Sequence, residues 1–334
     1  MMKTLIVAEA GVNHNGNLDM ALQLCDAAKE AGADIVKFQT FKTENILTRQ
    51  ASLAAYQAEN IGVTKSQFEM IKELELDFGS FKKIKEYCDK IGIQFLSTPD
   101  DQESLDFLTE TLGMNTIKIG SAEVTNVPFI RKIGGKGLPV ILSTGMATLG
   151  EIDRAIYELE HSGSGEITLM HCTSKYPCPY EEVNLRAIHT LSEAFMCKVG
   201  YSDHTEGIVV PIAAVALGAV VIEKHFTLNK KLPGPDHRAS IEPAELRLMI
   251  DGIRNTEVAL GDGIKRPSKG EELTKEAVRR SIVAACPIKK GMIFSSDNLL
   301  TKRAGQKGLP SEMWDYVLGM IASRDFSEDE PISL

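Results

Sequence analysis

A (β/α)8 barrel followed by a small β-rich domain is the architecture that this sequence predicts, and three observations carry it. A short apolar run ending in a polar group, then a turn, then a helical stretch recurs eight times. The repeats fill about 260 residues, the usual size of such a barrel. No G-x-G-x-x-G loop follows the first run, where Gly11 to Gly16 read GVNHNG, so an open dinucleotide-binding sheet is the weaker rival.

The runs cover residues 5–10, 35–40, 94–98, 116–121, 140–144, 167–172, 198–204 and 220–227. They are nearly continuous in apolar residues, as parallel strands buried on both faces are. The first helix is expected over 18–31, with Leu18, Ala21, Leu22, Cys25 and Ala28 at close to helical spacing. Stretches 80–91, 101–112, 149–161, 185–195, 209–217 and 243–260 read similarly, and 127–133 is a shorter case. Gly32, Gly92 and Gly113 follow helical runs, as C-terminal caps do. The main irregularity is 44–67, a long polar excursion of the kind that covers substrate on an active rim.

The helical pattern stops near residue 260, so residues 1–260 form the barrel domain. The next stretch, GDGIKRPSKGEE, is rich in glycine and charge and reads as a linker over 261–280. Residues 281–334 carry short β-like pieces at 281–285, 292–294 and 299–301. Fewer than about 70 residues make a thin core, so this part is expected to dock on something larger.

Composition narrows the function classes. The chain has 334 residues and a net charge of −9 with no basic block, which argues against a nucleic-acid partner. No stretch offers the roughly 20 apolar residues of a membrane span, and no signal segment opens the chain. The six cysteines form no C-x-x-C pair and suit reduced, buried thiols in a cytoplasmic protein.

In a barrel of this kind, chemistry belongs to the C-terminal ends of strands. Those ends carry Glu9, Lys37, Gln39, Ser97, Thr98, Lys118, Ser121, Glu123, Ser143, Thr144, His171, Thr173, Ser174, Ser202, His204, Glu223 and His225. Alternate residues of a strand share a face, so Ser202 and His204 point one way, as do Glu223 and His225. Two imidazoles and a carboxylate then meet at one rim. A lone histidine would be read as a satisfied core residue; two at matching strand ends read as a ligand pair. Manganese or magnesium tolerates two imidazoles, because water and substrate oxygens complete an octahedron, whereas structural zinc wants four protein ligands. Asp203 is a candidate third ligand that a regular strand turns away.

Lys37 and Lys118 sit inside apolar runs, where an unpaired ammonium is costly. They read either as internal ion pairs to Glu9, Glu123 or Glu223, or as a clamp for phosphate and carboxylate. A Schiff-base lysine is a further option. The hydroxyls of Thr98, Ser121, Ser143 and Thr144 suit the anion clamp. Glu9 reads as a structural carboxylate or as a group that offsets developing positive charge or moves a proton. Asn13 and His14 follow on its loop. Asp236 and His237 end the rigid turn LPGPDH, which suits a carboxylate presented to sugar hydroxyls. Cys172 and Cys178 match no zinc module.

The motifs EAGVNHNG, VKFQTF, FLSTP, IKIGSAE, ILSTGM, HCTSKYPCPYEEVNL, GYSDHT, VIEKHFT and GPDH occur in the order seen in the sialic acid synthases, the bacterial nonulosonate synthases. The C-terminal part, residues 281–334, with KKGMIFSSDNLLTKRAGQKG, resembles their antifreeze-like (SAF) domain. The stretches ALGDGIK and EYCDKIGIQFLSTP are most similar to the N,N'-diacetyllegionaminate branch.

The resemblance implies a C–C bond-forming transferase on a TIM barrel. It would condense phosphoenolpyruvate (PEP) with an N-acetylated mannose-like sugar, either N-acetylmannosamine or its 2,4-diacetamido analogue. It implies a divalent metal, manganese or else magnesium, on His204 and His225. Lys37, Thr98, Lys118, Ser121, Ser143 and Ser174 match its PEP-binding set, and Glu9 the carboxylate beside the reacting carbons. Gln39, Tyr176, Glu223 and Asp236 match its sugar site. Arg303 matches an arginine that reaches into the partner chain's site, so a domain-swapped homodimer is implied. Ser174 departs from the asparagine of the sialic acid branch and shortens that contact. The alternatives are a Schiff-base keto-acid aldolase using Lys118 and a non-catalytic carbohydrate-binding protein.

Overall fold

In a computed structural model of the chain, residues 3–51, 66–305 and 307–334 are described. They fall into two compact units, Met1–Gly261 and Asp262–Leu334.

The first unit holds eight strands: β1 Leu5–Gly11, β2 Ile35–Thr40, β3 Gln94–Pro99, β4 Ile117–Ile119, β5 Val140–Ser143, β6 Ile167–Cys172, β7 Lys198–Asp203 and β8 Val221–His225. Every ladder among them is parallel. Their order is β3-β2-β1-β8-β7-β6-β5-β4, a sheet rolled almost into a closed barrel. β3 and β4 are neighbours, yet among the described residues no ladder joins them, which leaves one seam.

Helices follow the strands because the caps and the apolar spacing agree. Leu18–Ala31 begins where the Asn17 side chain accepts from the Met20 N–H and ends at Gly32 in the left-handed region. Its buried face is Ala21, Leu24, Cys25, Ala28 and Ala31; Leu24 replaces Leu18 and Leu22, which are only partly covered. Phe78–Ile91, Leu149–Ser162 and Pro243–Leu260 pack in the same way. The helix expected over 101–112 is split: Gln102–Asp106 is α-helical, and Phe107–Thr111 widens into a π-turn.

Of the excursion at 44–67, residues 52–65 lie outside the described residues, and so does its expected role as a cover. The flanking helix Gln67–Leu74 buries Met70 and Leu74 with Val12 and Phe41. Gly16 lies at φ +68° against the carbonyl of Glu73, where a Cβ has no room.

The second unit pairs β9 Arg280–Ala284 with β10 Leu299–Arg303 in an antiparallel ladder. Isolated bridges at Pro310, Phe326, Ile321 and Pro331 add to it. Its core is small and apolar, built on Ile282, Ile288, Phe294, Leu299, Val317, Phe326 and Ile332. Part of the stretch read as a linker is the helix Lys269–Val278, opened by a capping box between Ser268 and Glu271. Among the described residues no helix is long and apolar enough to cross a membrane.

Candidate active site

The strand ends open into one cavity of ≈ 410 Å³ at the C-terminal mouth of the barrel. Lys37 from β2 and Lys118 from β4 form its floor, each about 2% exposed. Lys37 Nζ lies 2.8 Å from Glu9 Oε2 and 3.7 Å from Glu223 Oε2. Lys118 Nζ lies 3.9 Å from Glu223 Oε1. Two buried ammonium groups thus face two buried carboxylates, and this alternation is what makes their burial tolerable.

Charge is unevenly held within this quartet. Burial pushes Glu9 up to about 7, with Glu223 adding to the effect and Lys37 opposing it. Burial alone would raise Glu223 too, but Lys118 and Lys37 outweigh it and bring that carboxyl to about 2. Burial lowers Lys118, whereas for Lys37 the charges of Glu223 and Glu9 overcome burial and raise it. One carboxylate is firmly ionised, and the other sits where a proton comes and goes near neutrality.

Hydroxyl groups complete the floor. Lys37 Nζ donates to Thr98 Oγ1 at 3.0 Å, and Lys118 Nζ donates to Ser143 Oγ at 2.6 Å. The Gly145 N–H donates to Ser121 Oγ at 2.9 Å. Gly145 closes a cradle: a Cβ there would stand 2.9 Å from Ser121 Oγ and collide with Ser174 Oγ. Three serines, a threonine and two ammonium groups suit a multiply charged anion.

His204 and His225 stand on the opposite wall, from the ends of β7 and β8, with ring centroids 5.5 Å apart. Both imidazoles are lowered, chiefly by burial, so both are neutral at pH 7. His204 Nδ1 lies 2.6 Å from the Thr173 carbonyl, which can only accept; Nδ1 therefore carries the proton and Nε2 a bare lone pair. His225 Nδ1 is buried without a hydrogen-bond partner. Among the described residues no group of three or more ligating side chains converges, so two imidazoles are what a cation would find. That donor set fits an octahedral ion with open positions and not a four-ligand structural zinc.

The remaining wall is Gln39, Tyr176 and Ser202. Gln39 Nε2 donates to Glu9 Oε1 at 3.3 Å, and Ser202 Oγ donates to Glu223 Oε1 at 3.2 Å. The Tyr176 ring lies 4.1 Å from the His204 ring.

Two expected site residues, Glu123 and Asp236, lie outside the cavity lining, and Arg303, expected to serve a partner chain's site, belongs to the second unit. Glu123 ends a 3-10 turn, Ser121–Glu123, which swings its carboxylate out to accept from Asn126 Nδ2. Asp236 is half-buried beyond β8, outside the cavity lining, and burial pushes it up to about 6. Arg303 is exposed at the end of β10 in the second unit. Asp203 faces away from the cavity and pairs with Lys224. Asn13, His14 and His237 form a separate buried cluster with Thr227 and Ser240.

Five lining residues were not among the expected site residues: Asp100, Gly120, Ala122, Met146 and Cys172, the last read only as an unliganded thiol. Met146 adopts φ +64° and leans over the cavity, a conformation no sequence pattern announces. Cys172 lies 3.2 Å from Ser121 Oγ. Asp100 also borders a neighbouring acidic cavity of ≈ 600 Å³ with Asp101, Glu103 and Asp106.

The NeuB family model matches residues 24–265 and the SAF domain model matches residues 279–334. The chain is 50% identical to the N,N'-diacetyllegionaminic acid synthase of Campylobacter jejuni subsp. jejuni, over 99% of both chains. It is 46% identical to the synthase of the same name from Legionella pneumophila, over 95% of this chain and 90% of that one. A crystal structure of N-acetylneuraminic acid synthetase from Leptospira borgpetersenii, in complex with citrate, superposes with a TM-score of 0.72 at 35% identity, covering 82% of this chain and 90% of that one.

Proposed function

The chain belongs to the NeuB family, and on that premise we propose that it is a PEP-dependent nonulosonic acid synthase. Its sugar, in this reading, is 2,4-diacetamido-2,4,6-trideoxy-mannose and its product N,N'-diacetyllegionaminate; N-acetylmannosamine and N-acetylneuraminate are the competing pair. The names of the relatives at 50% and 46% identity favour the first.

One observation carries the reading: Lys37 and Lys118, both buried, open into the same cavity as two neutral imidazoles. The lysines, Thr98, Ser121, Ser143 and Ser174 bind the phosphate and carboxylate of PEP. Gln39, Tyr176 and Glu223 orient the sugar. His204 and His225 would hold a divalent ion, manganese in preference to magnesium, which supplies Lewis acidity at the sugar's aldehyde oxygen. The C3 of PEP forms a bond to the aldehyde carbon, and positive charge develops at C2. Glu9, ionised, offsets that charge and takes a proton from the water that adds to C2. Its position near 7 suits both tasks. The former aldehyde oxygen takes up a proton to become a hydroxyl, and phosphate leaves by C–O cleavage as the new C2 hydroxyl gives up its proton and becomes the keto oxygen.

The protein is further proposed to work in the cytoplasm as a homodimer in which Arg303 of one chain serves the site of the other. Incubation with PEP, Mn(II) and each sugar in turn tests the whole reading by phosphate release and by the mass of the product. Silence with both sugars refutes it. The lowered Lys118 keeps a Schiff-base aldolase as the second reading. Borohydride with pyruvate labels Lys118 in that case and leaves the synthase unlabelled.

A further inference from the structure

We propose that the buried Lys224–Asp203 ion pair, on the outer faces of β7 and β8, is a positioning device that sets the two imidazoles for a divalent cation. The inference rests on reading His204 and His225 as metal ligands.

Strand alternation places the pair. Ser202, Glu223 and His225 line the cavity, so Asp203 and Lys224, one residue along, face the other way. The two are register partners across the β7–β8 ladder, and both side chains are wholly buried. Lys224 Nζ lies 2.5 Å from Asp203 Oδ2 and also donates to the Thr205 carbonyl. Asp203 Oδ1 accepts from Tyr201 Oη at 2.9 Å and from the Thr205 N–H at 3.1 Å. Its Oδ2 accepts from Thr205 Oγ1 at 3.1 Å as well. Neither residue lines the cavity, so neither meets substrate.

Stability is a poor account of such a pair. Replacing a buried ion pair with apolar residues is often neutral or stabilising. What apolar residues cannot do is fix direction and register. A one-residue slip of β8 would turn Lys224 into the lumen and His225 out of it. The network also continues into the wall of the site. Thr205 bridges to Cys178, whose N–H donates to the His204 carbonyl at 2.8 Å. The loop so anchored supplies the Thr173 carbonyl that fixes the His204 tautomer, and the Tyr176 ring that packs on both imidazoles. The ion pair thereby holds the backbone on either side of each ligand and the loop that orients one of them.

The test is Mn(II) affinity of the full chain without substrates, read by electron paramagnetic resonance of free Mn(II). The variants are D203N/K224M, Y201F and, as a control, H225A. D203N/K224M removes both charges together and leaves no buried charge unpaired. It is expected to fold, judged by circular dichroism, and to bind Mn(II) about 10- to 100-fold more weakly. In turnover its kcat should fall more than its KM for PEP, because the PEP groups come from β2 to β6. Y201F keeps the ion pair but deletes one hydrogen bond to Asp203. It should weaken Mn(II) about 3- to 5-fold. A folded D203N/K224M with Mn(II) affinity within about twofold of wild type, while H225A loses the ion, overturns the inference and leaves the metal reading standing. Should the double variant not fold, unchanged affinity in Y201F overturns it instead. Wild-type affinity in H225A sinks the metal reading itself.

Discussion

The two units of this chain solve burial in opposite ways. The core of Asp262–Leu334 is apolar throughout, and its only buried polar side chains are Ser281 and Asn298 among the described residues. The barrel buries four lysine and glutamate side chains at its mouth and a further ion pair behind it. Charge in a core is tolerated only where partners are arranged to meet it. The barrel mouth has such an arrangement, which suits the anion site proposed for it. The second unit keeps its charges, Arg303 and Lys302 among them, at the surface.

The sharpest way to break this contrast is at the imidazoles. His204→Ala or His225→Ala should remove turnover altogether and abolish Mn(II) binding by the substrate-free protein. Retained binding in both would mean that the polar mouth serves another purpose. Next comes Lys37→Met, which strips the cation from between Glu9 and Glu223. We expect kcat/KM to fall at least about 10³-fold and folding stability by about 3–5 kcal/mol, measured by urea titration. A more stable variant would show the quartet to be frustrated even without ligand. In the second unit, Phe294→Ala should cost a similar 3–5 kcal/mol by cavity formation alone, yet with no change in Mn(II) affinity.

A smaller effect is expected at Asp100. Burial, with the charge of Glu123 adding to it, pushes this carboxyl up to about 7. It is therefore mostly neutral at pH 6 and mostly ionised at pH 8, where its charge repels PEP at the cavity wall. The ratio of KM for PEP in wild type to that in Asp100→Asn should rise between those two pH values. A flat ratio would place Asp100 outside the field felt by PEP.

The smallest effect is at Glu158, a buried carboxylate that Arg131 holds below its usual range by hydrogen bonding. A lowered folded value means stability present above about 4.5 and lost as pH falls. Glu158→Gln should match wild type less well at pH 7 than at pH 3.

The barrel was legible because its eight strands are buried on both faces and so read as apolar runs; β6 matches residue for residue. The lysines and histidines were legible because a charged or imidazole side chain inside such a run needs a reason. Glu123 misled, because the 3-10 turn after β4 ends the alternation on which its placement relied. Asp100 and Met146 were missed for a related cause. They reach the cavity from just past the ends of β3 and β5, where no period predicts a direction. The helix at Lys269–Val278 could have been found: the S-x-x-E signal of Ser268 and Glu271 stands in the stretch read as a linker.

The open seam between β3 and β4 has its own consequence. Thr98 stands on one lip of it and Lys118 on the other, with Gly120 Cβ space only 4.0 Å from the Thr98 methyl. A phosphate gripped from both lips would stitch two strands that share no backbone ladder. Substrate would then act as the missing fastening of the sheet, slowing amide exchange there more than anywhere else around the ring.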